Sequence, residues 1–526
     1  MFGDAGPFGP AFSGYVPFMA TATHETERKY DLDPGTPLPA LTAVRGVHEE
    51  GAPRTHHLDA VYYDTADLRL ARTRATLRRR TGGADAGWHL KLPVAGDTRE
   101  EVRLPLDADD EPGGPVPEEL ARLVTARTRG AALVPVVRLA TRRTTRLLYD
   151  ARGAALAEIA HDEVHARRLG RSRATARWSE IETELTGAGT PALLDAVEKR
   201  LREAGIHRAT GPSKLVRALT ETGTPPSPLV PPAAPDTAGG HLLRHLRAQY
   251  LAFLGREAAF RQDRPDAVHK ARVALRRTRA ALRGRRPLLD REATDALRAE
   301  LRWLARELGA DRDREVLEER LRGLLAEAEG PLLLGPAEAR LTTWAVRAGD
   351  TSRATALAAL DSPRCRALLD AWDAFLAAPP LTGKAARPAP EHFRAVVRKE
   401  RRRARRHLAD ALALPQGPAR DAALHEARKK TKRLRYAAES ARPVLGKPAK
   451  RRAREAKALT SLLGDHHDGV VARAALRELA ARAHAAGEPG FTWGLLHGRE
   501  EARARAYESA LERGHAGGTP GRGRLR

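Results

Sequence analysis

Cysteine is almost absent from this 526-residue chain: Cys365 stands alone, so no intrachain disulfide can form, and such usage suits a reducing cytoplasm. Long apolar runs are missing as well. No stretch of about 18 apolar residues occurs, so no membrane-spanning helix is expected. The first twenty residues, MFGDAGPFGPAFSGYVPFMA, lack a basic segment followed by an apolar one; residues 1–20 read as a disordered leader rather than a signal peptide. Met19, the only methionine besides Met1, is a candidate translation start. Aromatic residues make up 4%, so the packed interiors must rest mainly on Leu, Ala and Val. Negative charge is the scarcer sign. With 67 Asp+Glu against 92 Lys+Arg, the net charge of +25 calls for a polyanionic partner: nucleic acid, an anionic membrane or a phosphate polymer.

The length implies two or more domains. The style of the sequence changes at TGTPPSPLVPPAAPDTAGG, where six prolines with Gly, Ser and Thr leave no periodic apolar face; residues 221–239 read as a linker. Before it, LDAVYY, ATLRRR, WHLKLPV, EEVRLPL, AALAEIA and RWSEIETEL read as short strands, interrupted by helical stretches near 116–126 and 190–204. That pattern predicts an antiparallel sheet or barrel over 21–220. After the linker, residues 240–512 are Ala/Leu/Arg/Glu-rich and helical in period, and 513–526 read as a disordered basic tail.

The helical half repeats itself. HKARVALRRTR from His269 matches HEARKKTKRLR from His425, 156 residues later, and LGADRDREV and LGDHHDGVV follow at nearly the same distance. Two divergent copies of one unit, around 241–375 and 390–510, are the simplest explanation. At about 100° per residue, His269, Arg272, Arg276 and Arg279 fall within an arc of about 80°, beside rather than opposite the apolar face. His425, Arg428, Lys432 and Arg435 occupy the same arc in the second copy. A single basic stripe on a helix is ordinarily a solvated face. Its recurrence with the same histidine argues for a binding surface, in which planar, permanently charged guanidiniums suit phosphate.

The strands carry their own pattern. In ETERK, residues i, i+2 and i+4 share one face, so Glu25, Glu27 and Lys29 point the same way. Alone, this reads as a charged edge. However, Arg78 with Arg80, His89 with Lys91, Arg99 with Glu101 and Arg103, and Glu180 with Glu182 and Glu184 also share faces. If the sheet closes, the charges point inward. Many cations with a few clustered carboxylates are then stable only around both an anion and a cation. Triphosphate with Mg²⁺ or Mn²⁺ satisfies both.

Two family resemblances follow from these residues. The doubled basic stripe with its LG-x3-D signatures resembles a CHAD domain over about 240–512, implying an all-α domain of two helical bundles. It further implies a positively charged groove that binds inorganic polyphosphate through His269, Arg272, Arg276, Arg279, His425, Arg428, Lys432 and Arg435. The E-x-E-x-K opening of the strand series resembles the CYTH domain, the triphosphate tunnel metalloenzymes, over about 21–220, implying an eight-stranded antiparallel tunnel. Residue by residue, the resemblance implies catalytic roles for Glu25, Glu27 and Lys29. Arg78, Arg80, Lys91, Arg143 and Lys214 would grip substrate, with Arg138 and Arg142 as alternative registers for Arg143. Glu25, Glu27, Asp162, Glu180 and Glu182 would hold the metal, with Glu184 as an alternative two residues on. His161-Asp162 stands where relatives often carry two acids.

The expected activity is metal-dependent hydrolysis of inorganic or a related organic triphosphate, with no covalent nucleophile. A class IV adenylyl cyclase activity, or a non-catalytic role in binding polyphosphate, remains as the alternative. Specific nucleic-acid binding is not expected, because the basic helices lack interleaved aromatics and no helix-turn-helix or zinc-finger pattern occurs. The expected location is the cytoplasm, in association with polyphosphate granules.

Overall fold

A computed structural model of the chain describes residues 21–516 except 34, 108, 109, 210, 212 and 233, and leaves aside the side chains of 310–313, 315 and 347–352. The expected leader with Met19, and residues 517–526 of the expected tail, lie outside the described residues. The chain divides into two compact units between Ser227 and Pro228, within the proline-rich stretch.

Eight antiparallel strands build the first unit: β1 (Thr21–Leu32), β2 (Arg54–Asp64), β3 (Thr76–Thr81), β4 (Gly87–Ala95), β5 (Thr98–Leu104), β6 (Val134–Tyr149), β7 (Ala155–Arg168) and β8 (Thr175–Leu185). Their order around the sheet is β6-β2-β3-β4-β5-β1-β8-β7, and β7 pairs back onto β6, so the sheet closes. The register sets Lys29 opposite Glu182, Thr76 opposite Lys91, and Arg143 opposite Asp162. The 116–126 stretch forms two short helices, Glu118–Leu123 and Thr125–Thr128.

Alternation along each strand decides what faces the lumen. On β1, Glu25 and Glu27 are buried inside, while Arg28 turns outward to Asp97, Asp195 and Glu198. Tyr30 packs with Ile159, Ile181, Val197 and Leu201 under helix α1 (Pro191–Glu203). Farther along, the residues in line with the inward charges become apolar. Val137 and Leu139 on β6, Val164 and Ala166 on β7 and Trp178 on β8 pack against Leu215, Ala218 and Leu219 of helix α2 (Lys214–Glu221). The apolar face of α2 therefore closes one end of the barrel. Ser213 caps this helix, its hydroxyl accepting from the Val216 N–H at 3.2 Å, and the cap fixes Lys214 in the first turn, facing the charged lumen.

The second unit is helical. Its first sequence copy contributes α3 (Ala238–Arg261), α4 (Ala267–Gly284), α5 (Arg291–Glu307), α6 (Gly309–Ala326), α7 (Ala337–Asp361) and α8 (Pro363–Ala377). The second copy contributes α9 (Ala389–Leu412), α10 (Pro418–Ser440), α11 (Lys447–Ala485) and α12 (Phe491–Ala516). The long α11 corresponds to α5 plus α6, which break at Leu308. The copies interlock: Leu324 and Leu341 of the first pack with Leu476 and Trp493 of the second. Helices α4 and α10, which carry the two basic stripes, pack against each other.

Candidate functional site

Seventeen side chains line the barrel lumen, among them eight Lys or Arg and six Asp or Glu. Opposite charges reach across and draw it tight, leaving a cavity of about 60 Å³. Of the residues expected from sequence, Glu25, Glu27, Lys29, Arg78, Arg80, Lys91, Arg143, Glu182 and Lys214 all line it. Asp162 and Glu180 sit just behind Lys214 and are buried. The register of the central strand is also resolved. Arg143 lines the lumen, whereas Arg138 pairs with Asp59 and Arg142 with the exposed Glu163.

Two charge clusters divide the site. In the first, the Lys214 ammonium lies 2.8 Å from Asp162, 2.7 Å from Glu180 and 2.5 Å from Glu182. Arg143 donates to both Asp162 oxygens, at 2.8 and 2.6 Å, and also to Glu182. Burial works against each of these charges, yet the partners outweigh it. Lys214 is held well above the usual lysine range, and Glu182 well below the carboxylate range by Lys214, Lys29 and Arg143. Asp162, Glu180 and Glu182 could bring three ligand oxygens within 4.8 Å of one another, but Lys214 sits among them. Asp162, expected from the resemblance to help hold the metal, is thus also in contact with Arg143 and Lys214.

The second cluster gathers Glu25, Glu27, Glu101 and Glu184. Lys91 donates to Glu25 at 2.5 Å, Arg103 bridges Glu25 and Glu101, and His89 Nδ1 lies 3.0 Å from Glu101. Burial pushes Glu27 up, but Lys29, Lys91 and Arg99 together hold it down at about 2, as a carboxylate. Glu184 has weaker support: burial, then the neighbouring charge of Glu25, outweighs Lys91 and pushes it up to about 7. Glu27 Oε1 is buried and accepts no hydrogen bond. A buried carboxylate oxygen with no hydrogen bond and only the longer ion pairs to Lys29 and Arg99, at 3.4 and 3.8 Å, beside a second carboxyl destabilised by like charge, fits a divalent cation, which Glu25, Glu27, Glu182 and Glu184 could hold. The all-oxygen set suits Mg²⁺ or Mn²⁺. Among these, Glu184 was visible from sequence only as a two-residue alternative. Arg99, Glu101 and Arg103 were read as one face and given no role. Tyr62, Asp85 and Ser213 carried no signal beyond their position in a strand, turn or cap.

In the helical unit, the stripes meet where α4 packs on α10. Arg276 is pushed down by burial and by Arg272 and Arg435, and Lys432 falls to about 7 through burial, then Arg428, Arg276 and Arg435. Arg279 faces Arg302, Arg298 and Arg433. Such mutual repulsion marks a surface with too few anions of its own. The LG signature has a steric reason. A Cβ on Gly309 would lie 3.1 Å from the Arg272 guanidinium, and one on Gly464 3.3 Å from that of Arg428. Arg272 uses the space to donate to the Gly309 carbonyl at 3.1 Å. His425 stacks on His467 with centroids 3.9 Å apart and is pushed down to about 4 by burial and by His467, so it is neutral at pH 7. His269 lies half-buried on α4. Of the two signature aspartates, Asp468 acts on Lys432, while the Asp313 side chain lies outside those described.

Fold and lumen together define a charged-tunnel protein joined to a helical domain that carries two basic stripes. The sequence matches the CYTH domain family over residues 23–219 and the CHAD domain family over 244–477, and the chain belongs to the CYTH–CHAD proteins. An uncharacterized protein of Mycobacterium tuberculosis is 38% identical over 503 residues, covering 93% of this chain and 95% of its own. Among solved structures, PptA from Streptomyces chartreusis is 25% identical, covering 53% of this chain and 98% of its own with a TM-score of 0.44. The CHAD domain of the plant Ricinus communis is 27% identical, covering 53% and 88% with a TM-score of 0.39. Among the described residues no helix is long and apolar enough to cross a membrane.

Proposed function

We propose that the tunnel is a metal-dependent triphosphatase acting on inorganic triphosphate, and that the helical unit holds polyphosphate along the paired stripes. The observation that carries the first part is the lumen lining. Its eight cations exceed its six acids, so the formal excess is positive and a compact polyanion is the complementary guest. Tyr62 is the only Tyr, Phe or Trp among the lining residues, and no base-sized apolar slot accompanies it, which favours the bare triphosphate over a nucleotide.

Substrate entry exchanges partners. Lys29, Lys91, Lys214 and Arg143 now spend their charge on carboxylates, and each can turn to a phosphate oxygen as those carboxylates turn to a cation. Arg78 and Arg80, on adjacent inward positions of β3, align the chain of phosphates from the opposite wall. Glu25, Glu27, Glu182 and Glu184 would hold the divalent cation, which supplies charge neutralisation at the phosphoryl oxygens. Glu27, fully ionised, is available to orient the attacking water, and Glu184, titrating near neutrality, to take its proton. Loose phosphoryl-transfer transition states need this alignment more than covalent help.

The test is a panel of inorganic triphosphate, ATP, thiamine triphosphate and long-chain polyphosphate, each with Mg²⁺ or Mn²⁺. Orthophosphate release fastest from inorganic triphosphate is expected; cyclic AMP from ATP would replace hydrolysis by cyclisation. For the helical unit, polyphosphate affinity should fall in His269→Ala/His425→Ala and more steeply in Arg272→Ala/Arg428→Ala. Association with polyphosphate granules follows from that affinity.

A further inference from the structure

A second cationic recess lies in the helical unit, beside the stripes and divided from them by Glu439. It encloses about 410 Å³, within the range of small-molecule sites, and is walled by α3, α4, the end of α10 with the turn after it, and α11. Lys450, Arg454 and Lys457 stand at i, i+4 and i+7, on one face of α11, with Arg277 of α4 and Arg442 completing the ring.

The charge around it is unbalanced in a specific way. On α11, Arg451 and Arg452 share Glu455, the latter at 2.5 Å. Among the described residues, no carboxylate lies within 4 Å of Arg442, Lys450, Arg454 or Lys457. The single lining acid is Glu439, already 2.7 Å from Arg277 and 3.5 Å from Arg435. Glu439 thus stands between the recess and the stripe, separating Arg277 from the cations of the groove. His245, pushed down to about 3 by burial and by Arg285 and Arg277, adds an imidazole without charge.

We infer that this recess is a separate site for a compact, multiply phosphorylated small molecule. Five lining cations, of which Arg442, Lys450, Arg454 and Lys457 are solvent-exposed, against one already-paired carboxylate call for several negative charges at short spacing. The walls come from four sides, which suits a compact anion rather than a long chain laid along a groove. No Phe, Tyr or Trp lines the recess, so phosphate groups rather than a nucleobase supply the recognition. The site is independent of polyphosphate binding along the stripes.

The experiment is titration calorimetry on the full chain, without divalent metal, using myo-inositol hexakisphosphate and inorganic triphosphate as probes. It is run on the free protein and on protein saturated with long-chain polyphosphate. Expected is binding that survives saturation, falls at least about tenfold in Lys450→Ala/Arg454→Ala, and changes less than about threefold in Arg272→Ala/Arg428→Ala. Only binding lost in Lys450→Ala/Arg454→Ala is assigned to the recess, since triphosphate also enters the tunnel; of that fraction, tighter hexakisphosphate binding identifies a cyclitol-type ligand and tighter triphosphate binding a short inorganic chain. Failure of both probes to bind, loss of binding on saturation, or an unchanged affinity in Lys450→Ala/Arg454→Ala would overturn the inference. All four substituted residues of the two doubles are kept to helix surfaces or the groove, and an unshifted thermal transition checks that each variant is folded.

Discussion

Replacing Lys214 by Met removes the shared counterion of Asp162, Glu180 and Glu182 while keeping most of the side chain's volume. Each ammonium–carboxylate contact, at 2.5 to 2.8 Å, corresponds to about 6 kcal/mol of gross attraction at an effective dielectric near 20. The net loss is below the sum of three such contacts, because removing the ammonium also removes its own desolvation penalty and the acids keep other partners. Asp162 retains Arg143, Glu182 retains Lys29 and Arg143, and Glu180 retains the Trp178 N–H at 2.6 Å. What remains is a buried carboxylate cluster short of one charge, for which removal of one partner costs about 3–5 kcal/mol. For a unit of this size that lowers its thermal transition by roughly 6–20 °C. Differential scanning calorimetry of the full chain should show the tunnel's transition moving and that of the helical unit staying. Because three ligand oxygens can come within 4.8 Å, Mn²⁺ should recover part of the loss in the variant more than in the parent. A shift below about 3 °C, unaffected by Mn²⁺, would refute the assignment of Lys214 as the cluster's counterion.

Other consequences follow from named groups. Glu184 titrates near 7 in the fold against about 4.3 unfolded, so the native state binds the extra proton and metal-free stability falls as pH rises from about 4.3 to beyond 7. Glu184→Gln should therefore gain stability over the parent in that window, by denaturant melts at pH 5 and 8, and lose the advantage when Mg²⁺ is added. Lys432 is depressed to about 7, so polyphosphate binding that restores its charge should take up close to one proton at pH 8.5 and almost none at pH 6, read by calorimetry in buffers of different ionisation enthalpy. Gly464→Ala should raise helix stability by up to about 1 kcal/mol while displacing Arg428, so thermal melts should hold or improve as polyphosphate affinity drops several-fold.

Much of the tunnel was legible because strand periodicity is strict. Once Glu25 and Glu27 point inward, the two-residue repeat carries Arg78, Arg80, Lys91 and Glu182 inward with them, whichever loop joins their strands. What periodicity cannot give is which of several inward residues meet across the barrel, since that depends on register between distant strands. Glu184 opposite Glu27 and Arg99 opposite Glu25 are register facts, and they bring Glu184 to the carboxylate cluster of Glu25 and Glu27. Asp162, implied as a metal residue by the family resemblance, lies with Glu180 and Glu182 in a group that could hold a metal ion, and there it also meets Arg143 and Lys214. In the helical unit, the repeat revealed the stripes, and the reason for LG emerged only when Arg272 and Arg428 were seen lying on the two glycines. The recess by Lys450 was not singled out in the sequence, because four of its cations fall within residues 442–457 as an ordinary basic helix face would, and only Arg277 arrives from a distant helix.

The most direct measurement of the central claim is orthophosphate release from inorganic triphosphate with Mg²⁺, compared between the parent and Glu27→Gln. That substitution keeps the shape of the side chain and removes the charge of the buried carboxylate whose Oε1 accepts no hydrogen bond. The account predicts metal-dependent release in the parent and a loss of at least about 100-fold in the variant, since even outer partners of a metal site cost 10–100-fold. Equal rates in the two proteins, or no release by a folded, metal-supplied parent, would contradict it.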